Sequence, residues 1–128
     1  MKIFAWLRGQ KEKKIVPQVV DAPPLPPSDY CIADHLVVTR LGNSHHGLYS
    51  GEGRVIFYNY YSGVIVEAGL QDYAKGNAIK VVYSPVSFKN STVMERARSR
   101  IGEREHNLYH NNNYSEQFVR WARGGGLW

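Results

Sequence analysis

Short runs of β-branched and aromatic residues, separated by glycine-containing turns, fill the middle of this chain and restrict the folds open to it. Gly51-Glu52-Gly53 predicts a tight hairpin turn, because glycine adopts the positive φ angles that such turns require. The flanking runs have strand-like patterns and predict five strands, at residues 32–41, 47–50, 54–60, 64–68 and 78–83. We therefore expect a small antiparallel sheet.

Helix signals lie on both sides of the last predicted strand. Residues 70–74 predict one helical turn before that strand. After it, residues 92–95 (Thr-Val-Met-Glu) have the pattern of a capping box and predict a helix to about residue 101. A final helix is predicted from Ser115, as its N-cap, to Gly124. The fold class is therefore α+β, with a sheet of about five strands flanked by helices.

Composition divides the 128 residues into three segments. Residues 1–14 form a head rich in aromatic and basic side chains, and residues 15–29 form a linker with five prolines, which favours extended polyproline II. Residues 30–128 have the composition of one folded domain. The head has five basic side chains and one acidic one, so it accounts for most of the net charge of +5. The near-neutral domain argues against nucleic-acid binding, which requires basic residues gathered on a folded face.

The head also bears on location. Its apolar patch, residues 3–7, is too short for a signal-peptide core or a membrane span, so a cytoplasmic protein is expected. Its apolar and basic side chains are nevertheless suited to peripheral contact with an anionic membrane interface. The candidates for that contact are Phe4, Trp6, Leu7, Lys11, Lys13 and Lys14. A disordered or partner-docked tail fits the same composition equally well.

The single cysteine, Cys31, excludes an intrachain disulfide and any cysteine-cluster metal site. Because it lies beside apolar residues, we expect a buried or half-buried structural thiol. His106 and His110 lie in a polar segment and do not form a recognisable metal-ligand spacing with the other histidines. No metal and no cofactor are expected.

The residues of greatest chemical interest are the pair His45 and His46, and Ser115, the hydroxyl residue that opens the last helix. A serine or cysteine nucleophile needs a base within hydrogen-bonding reach. A thiolate is further stabilised at a helix N-terminus, where unpaired N–H groups favour negative charge. Serine is also a common N-cap for structural reasons alone. By spacing alone, the structural interpretation of Ser115 is therefore the better one.

Two separated motifs resemble those of the H-box/NC family of small papain-like thiol enzymes, the lecithin:retinol acyltransferase-like proteins. Residues 45–56 (His-His-Gly-Leu-Tyr-Ser-Gly-Glu-Gly-Arg-Val-Ile) are similar to the family's H-box, in which a histidine precedes a tyrosine and a Gly-acidic-Gly hairpin. Residues 113–118 (Asn-Tyr-Ser-Glu-Gln-Phe) are similar to its Asn-Cys-Glu-His-Phe block. The resemblance covers about residues 33–125 and implies a permuted papain-like fold, with the nucleophile position at a helix N-terminus.

The resemblance places individual residues in roles. Counted from Tyr49, His45 takes the position of the general base, and the neighbouring His46 remains open as the base instead. Ser115 takes the position of the nucleophilic cysteine. Phe57, which accepts no hydrogen bond, replaces the histidine that orients the base in the family. The remaining candidates for orienting the base or for donating to an oxyanion are Asn112, Asn113, Tyr58 and Asn59.

Serine at position 115 decides how much activity the resemblance implies. A serine hydroxyl is far less acidic than a thiol, so a site built for a thiolate does not deprotonate it without a strong base. Two explanations remain open. Either the natural residue is cysteine and was replaced to silence the enzyme, or the protein is naturally degenerate.

The leading hypothesis is a thiol hydrolase or acyltransferase that acts on acyl esters or amides through a covalent acyl-enzyme and is inactive as written. Its substrate is expected to be a lipid acyl ester or a peptide-type amide, with peripheral membrane contact through residues 1–14. The alternative is a non-catalytic binding module, of the viral, phage or bacterial accessory kind, whose cleft binds a partner protein or ligand. Fold analogy does not choose between these chemistries.

Overall fold

The structure, a computed structural model, describes residues 30–105 and 113–125. Its elements are β1 (His35–Arg40), β2 (Asn43–Gly51), β3 (Arg54–Asn59), β4 (Val64–Gly69), α1 (Leu70–Ala74), β5 (Ile79–Val82), α2 (Asn90–Ser99) and α3 (Tyr114–Arg123). The predicted α+β class, with a five-stranded antiparallel sheet and a few helices, is confirmed. The predicted head and linker, residues 1–14 and 15–29, lie outside the described residues, as do His106 and His110.

The five strands form one sheet in the order β4-β3-β2-β1-β5, and each neighbouring pair is antiparallel. Short turns join β1 to β2, β2 to β3 and β3 to β4. In the β2–β3 turn, Glu52 and Gly53 have φ angles of 53° and 73°, and Gly51 has 99°. The hairpin predicted from the glycines is therefore present, and its left-handed backbone explains why two of its three residues are glycine.

The two faces of the sheet pack against different helices, because successive side chains of a strand point to opposite faces. One core lies under α2 and α3 and includes Leu48, Ile56, Val93, Phe118 and Val119. The other lies on the α1 side and includes Tyr49, Val55, Phe57 and Tyr73. The sheet is therefore covered on both faces, and α3 approaches it from the side that carries Leu48.

The sheet opens between β2 and β3 at one end. Residues 43–48 of β2 pair with β1, whereas pairing with β3 begins at Gly47, opposite Phe57. The first residues of β2 therefore have β1 on one side and, among the described residues, no strand on the other. The N-terminus of α3 meets β2 here, since the side-chain Nδ2 of Asn113 donates to the carbonyl oxygen of Ser44 at 2.7 Å.

The starts of three elements differ from the predictions by two residues or more. β1 begins at His35 rather than residue 32, because a turn precedes it in which Ala33 has a φ of 76°. β2 begins at Asn43 rather than residue 47. α2 begins at Asn90 with Lys89 as its N-cap and no side-chain cap, so the predicted capping box at residues 92–95 is wrong. No helix in the described part of the chain is long and apolar enough to cross a membrane.

Candidate active site

Asn113 caps the N-terminus of α3. Its Oδ1 accepts hydrogen bonds from the main-chain N–H of Glu116 at 3.2 Å and from the Ser115 hydroxyl at 2.6 Å. The predicted N-cap role of Ser115 is therefore wrong, because the asparagine two residues earlier already accepts from the first turn and Ser115 is the second residue of the helix. The predicted end of the helix is confirmed, with Gly124 as a left-handed C-cap at a φ of 89°.

Ser115 lies fully buried, at 0% exposure, where α3 meets β2. Its Oγ accepts a hydrogen bond from the main-chain N–H of His46 at 3.0 Å and donates to Asn113 Oδ1. The position that the resemblance gives to the nucleophile therefore contacts the strand that carries the candidate bases. Both of these hydrogen-bond partners are groups other than an imidazole.

His46 faces α3 and belongs to a buried chain of polar groups. Its Nδ1 lies 2.7 Å from Nε2 of His35 in β1, and Nδ1 of His35 lies 2.8 Å from Oγ of Ser84. On its other side, Nε2 of His46 is 3.9 Å from Oε1 of Glu116. His46 therefore has a polar neighbour at each ring nitrogen.

The direction of the hydrogen bonds among these buried groups depends on the tautomers of His35 and His46. A proton on Nε2 of His46, the nitrogen nearest the Glu116 carboxylate, would leave Nδ1 to accept from the Nε2–H of His35. Burial, together with the charges of His46, Arg123 and Arg120, lowers the pKa of His35 to about 3. Burial also lowers the pKa of His46, although Glu116 opposes this effect. Both imidazoles are therefore neutral near pH 7.

His45 occupies the opposite side of the β2 pleat, at the opening between β2 and β3. Its Nδ1 is buried and has no hydrogen-bond partner among residues 30–105 and 113–125. Its ring packs edge-on against Tyr60, with the ring centroids 5.2 Å apart at 83°. Burial, and then the positive charge of Arg40, lower the pKa of His45. His45 is thus a neutral imidazole with a buried nitrogen that has no partner among the described residues, the state in which a general base accepts a proton.

Phe57 lies at the position of the family's orienting histidine and packs on Tyr73, with the ring centroids 5.0 Å apart. Tyr58 donates its hydroxyl hydrogen to Glu105 at 3.3 Å. Asn59 accepts the main-chain N–H of Tyr61 at 2.8 Å. The hydrogen bonds found for Tyr58 and Asn59 therefore join Tyr58 to Glu105 and stabilise the turn after β3. Neither bond is made to the His45 ring.

The other candidates are placed as follows. Asn113 has its Nδ2 bonded to Ser44 and its Oδ1 occupied by the helix N-terminus, so in this arrangement its amide supports α3. Asn112 lies outside the described residues. The Tyr49 hydroxyl accepts the main-chain N–H of Gly53 at 2.9 Å and so supports the hairpin. Sequence reasoning missed Tyr60, which no motif marks.

The family model described as lecithin retinol acyltransferase matches residues 28–127, which is most of the chain. The chain belongs to the lecithin retinol acyltransferase family. The resemblance inferred from residues 45–56 and 113–118 is therefore confirmed, since both motifs lie within the match. No curated protein matches the chain. Membership of this family suggests a function of the acyltransferase or hydrolase type.

The described part of this lecithin retinol acyltransferase family member includes its cysteine and can be searched for groups of metal ligands. Cys31 is exposed in the turn before β1, so the predicted buried thiol is wrong. Its main-chain N–H donates to the Asp34 carboxylate at 2.9 Å, so the turn fixes the main chain of Cys31 while the residue stays exposed. Within the same residues, no group of three or more His, Cys, Asp or Glu side chains is placed to hold a metal ion.

Proposed function

We propose that this protein is an acyl hydrolase or acyltransferase of the thiol type, in which position 115 carries the acyl group and His45 is the general base. The observation that carries the proposal is the buried Nδ1 of His45, which has no hydrogen-bond partner among residues 30–105 and 113–125, at the end of β2 that contacts Ser115. A buried polar atom without a partner costs free energy, so its presence calls for an explanation. Proton transfer from a nucleophile at position 115 supplies one.

In the cysteine form, the His45 ring would have to reach residue 115 through the opening between β2 and β3 to take the thiol proton. The sulfur then attacks the carbonyl carbon of an ester or amide. The bond to the leaving group then breaks, and His45 gives its proton to the leaving oxygen or nitrogen. Water or a second acceptor, deprotonated in turn by His45, then attacks the acyl carbon. The carbon–sulfur bond breaks, the acyl product leaves, and the His45 proton returns to the cysteine sulfur. The N-terminus of α3 favours the thiolate, because its N–H groups and its dipole stabilise negative charge.

Serine at position 115 is expected to leave this site silent. The Ser115 hydroxyl donates its proton to Asn113 at 2.6 Å, so that proton is directed away from the base. The lowered pKa of His45 makes it a weaker base than an ordinary histidine. A serine hydroxyl is also much less acidic than a thiol, so all three effects oppose deprotonation.

A non-catalytic binding module is the second candidate, and one observation favours it. The Ser115 hydroxyl has both a hydrogen-bond donor and an acceptor in a fully buried position, so serine is accommodated there as a structural residue. A cleft that binds a partner protein or a ligand needs no nucleophile. The natural residue at position 115 discriminates: cysteine favours the enzyme, and serine together with Phe57 favours the module.

The decisive experiment compares Ser115→Cys with Ser115→Ala, both in a Cys31→Ser background, because the exposed Cys31 would otherwise react with the probe. The probe is a fatty-acyl nitrophenyl ester, followed by nitrophenol release and by mass spectrometry of the acylated peptide. We expect the cysteine form to be acylated at residue 115 at least about 100-fold faster than the alanine form. Equal rates for the two variants would remove the catalytic function and leave the binding module.

A lipid acyl ester is the first substrate class that we propose, and a peptide-type amide is the second. Peripheral membrane contact through residues 1–14 would bring the site to a lipid substrate, and those residues carry most of the net positive charge. Docking of the same segment on a protein partner is the competing proposal. Co-sedimentation with anionic liposomes, with and without residues 1–14, tests the membrane role, which equal binding by the two proteins would remove.

A further inference from the structure

A hydrogen-bonded turn between β3 and β4 carries a tyrosine to the His45 ring. Tyr60 is the first residue of that turn, directly after Asn59. The side-chain Oδ1 of Asn59 accepts the N–H of Tyr61 at 2.8 Å, and its carbonyl accepts the N–H of Gly63 at 2.7 Å. The main chain beside Tyr60 is therefore fixed at the C-terminal end of β3, where the sheet opens. The Tyr60 side chain is 45% exposed and so lies at the mouth of this opening.

Tyr60 connects His45 to the helix that carries position 115 through a series of edge-on ring contacts. Its ring lies 5.2 Å from the His45 ring at 83° and 4.6 Å from the Tyr58 ring at 82°. Tyr58 in turn lies 4.9 Å from the ring of Tyr114, the residue before Ser115, at 79°. Edge-to-face contact is a favoured geometry for aromatic pairs, so the two contacts of the Tyr60 ring, with His45 and Tyr58, favour the orientation seen here.

The Tyr60 phenol is neutral near pH 7. Burial raises the pKa of Tyr60, and an interaction with Ser115 opposes that effect. The geometric link between Tyr60 and the candidate base is the edge-on contact of its ring with the His45 ring.

We propose that the ring of Tyr60 is the positioning group for His45, in place of the histidine that Phe57 replaces. Phe57 offers no hydrogen bond and packs on Tyr73, and Nδ1 of His45 has no partner in the described part of the chain. Edge-on packing by Tyr60 is therefore the contact that orients the imidazole while leaving its buried nitrogen free to accept a proton. The inference rests on the proposed function for its catalytic consequence, but the positioning itself is measurable without activity.

The positioning is tested in the protein as it stands, with Ser115 in place, by NMR of the histidine ring carbons. Tyr60→Phe keeps the ring and loses the hydroxyl, whereas Tyr60→Leu loses both. We expect one sharp set of His45 ring signals in the parent and in Tyr60→Phe, and broadened or doubled signals in Tyr60→Leu. Tyr61→Leu, a change at the neighbouring and more exposed residue of the same turn, is the matched control and should leave the signals sharp. Unchanged His45 signals in Tyr60→Leu overturn the proposal.

The catalytic consequence is tested in Ser115→Cys, Cys31→Ser with the nitrophenyl ester. Tyr60→Leu should lower kcat about tenfold with little change in KM, because a misdirected base slows proton transfer without weakening substrate binding. Tyr60→Phe should restore most of kcat. Equal losses for Tyr60→Phe and Tyr60→Leu would assign the effect to the hydroxyl and overturn the role of the ring. A parent with no turnover would refute the proposed function, and the NMR result would still decide the positioning.

Discussion

His45 and His46 are neighbours in β2, yet the pleat of the strand places them in opposite chemical situations. His46 is buried, with His35 at 2.7 Å from one ring nitrogen and Glu116 at 3.9 Å from the other. His45 has a buried nitrogen that finds no hydrogen-bond partner in the described part of the chain, and an aromatic neighbour in Tyr60. Adjacent positions of one motif therefore carry a histidine with a polar neighbour near each ring nitrogen and one with a buried nitrogen that has no hydrogen-bond partner among the described residues.

This difference is the basis for proposing that His46 stabilises the fold and that His45 is the reactive histidine. A satisfied buried polar group fixes the arrangement around it, and here His46 joins β1, β2 and α3. An unsatisfied nitrogen contributes no such stabilisation and is free to accept a proton. The comparison supports the proposal that His45 is the base, the role in which the resemblance places it, and that His46 helps to hold position 115.

The largest expected effect comes from exchanging the two histidines for alanine in the Ser115→Cys, Cys31→Ser protein. His45→Ala should lower acylation by at least about 100-fold and change the free energy of unfolding by less than about 1 kcal/mol. His46→Ala should lower the free energy of unfolding by about 1–3 kcal/mol, because it leaves the buried ring of His35 without its partner. Nitrophenol release and chemical denaturation measure the two quantities on the same samples.

The reverse pattern would contradict the proposed roles of His45 and His46. If His46→Ala abolished acylation in a folded protein and His45→Ala did not, His46 would be the base. Because His46→Ala also removes packing, His46→Gln serves as the control that keeps a polar side chain of similar length. Thermal unfolding of each variant shows whether a loss of acylation comes from a loss of folded protein.

A smaller effect is expected from acidification. His35 and His46 have folded-state pKa values below 6.5, the value of an unperturbed histidine, so the unfolded chain binds more protons than the folded one as the pH falls below that value. The stabilising contribution is complete above about pH 6.5 and decreases as the pH falls towards the folded values, about 3 for His35. The free energy of unfolding, measured with denaturant at about pH 5 and about pH 7.5, should therefore be lower at about pH 5.

His35→Gln separates this effect from the other titrating groups. The charged and titratable groups that bear on the pair are Glu116, Arg120, Arg123 and His45. Removing the His35 titration should make the pH dependence shallower, whereas His45→Gln, at a half-buried ring, should change it less. An identical slope in His35→Gln and the parent would show that the buried pair does not control acid stability.

The sequence was sufficient for the order of the elements. Five strands, the helical turn at α1 and both later helices follow from glycine turns, residue patterns and helix stops, all of which are local signals. The start of α2 was not predictable in this way. The N–H of Ser87 donates to the carbonyl of Arg123 at 2.8 Å and its hydroxyl to that of Gly124 at 3.2 Å, so a contact with α3 sets the approach to α2. A local capping pattern carries no information about that contact.

The candidate site also has a part that local motifs predict and a part that depends on contacts between distant segments. The motifs alone brought Ser115 and the two histidines into one hypothesis, and the structure places Ser115 against β2. The His35–His46 contact depends on the register of β1 and β2, in which His35 lies opposite Leu48 and His46 opposite Val37. A shift of one residue would move the two rings to opposite faces, and sequence alone does not fix the register. The contact of Tyr60 with His45 depends likewise on where β2 and β3 separate.

The smallest expected effect comes from Glu116→Gln, which tests whether the Glu116 carboxylate influences the protonation of His46. The change removes the carboxylate 3.9 Å from His46 and an ion pair with Arg120 at 2.9 Å, both partly exposed, so the free energy of unfolding at pH 7 should fall by only about 0.5 kcal/mol. Because Glu116 raises the pKa of His46, its removal should lower the pH at which the His46 ring titrates by NMR. Glu103→Gln, which removes an ion pair with Arg100 instead, is the matched control and should leave that titration unchanged. If the His46 titration is the same in Glu116→Gln and Glu103→Gln, the Glu116 carboxylate does not control the protonation of His46. The hydrogen bond with His35 is then the interaction that holds the His46 ring.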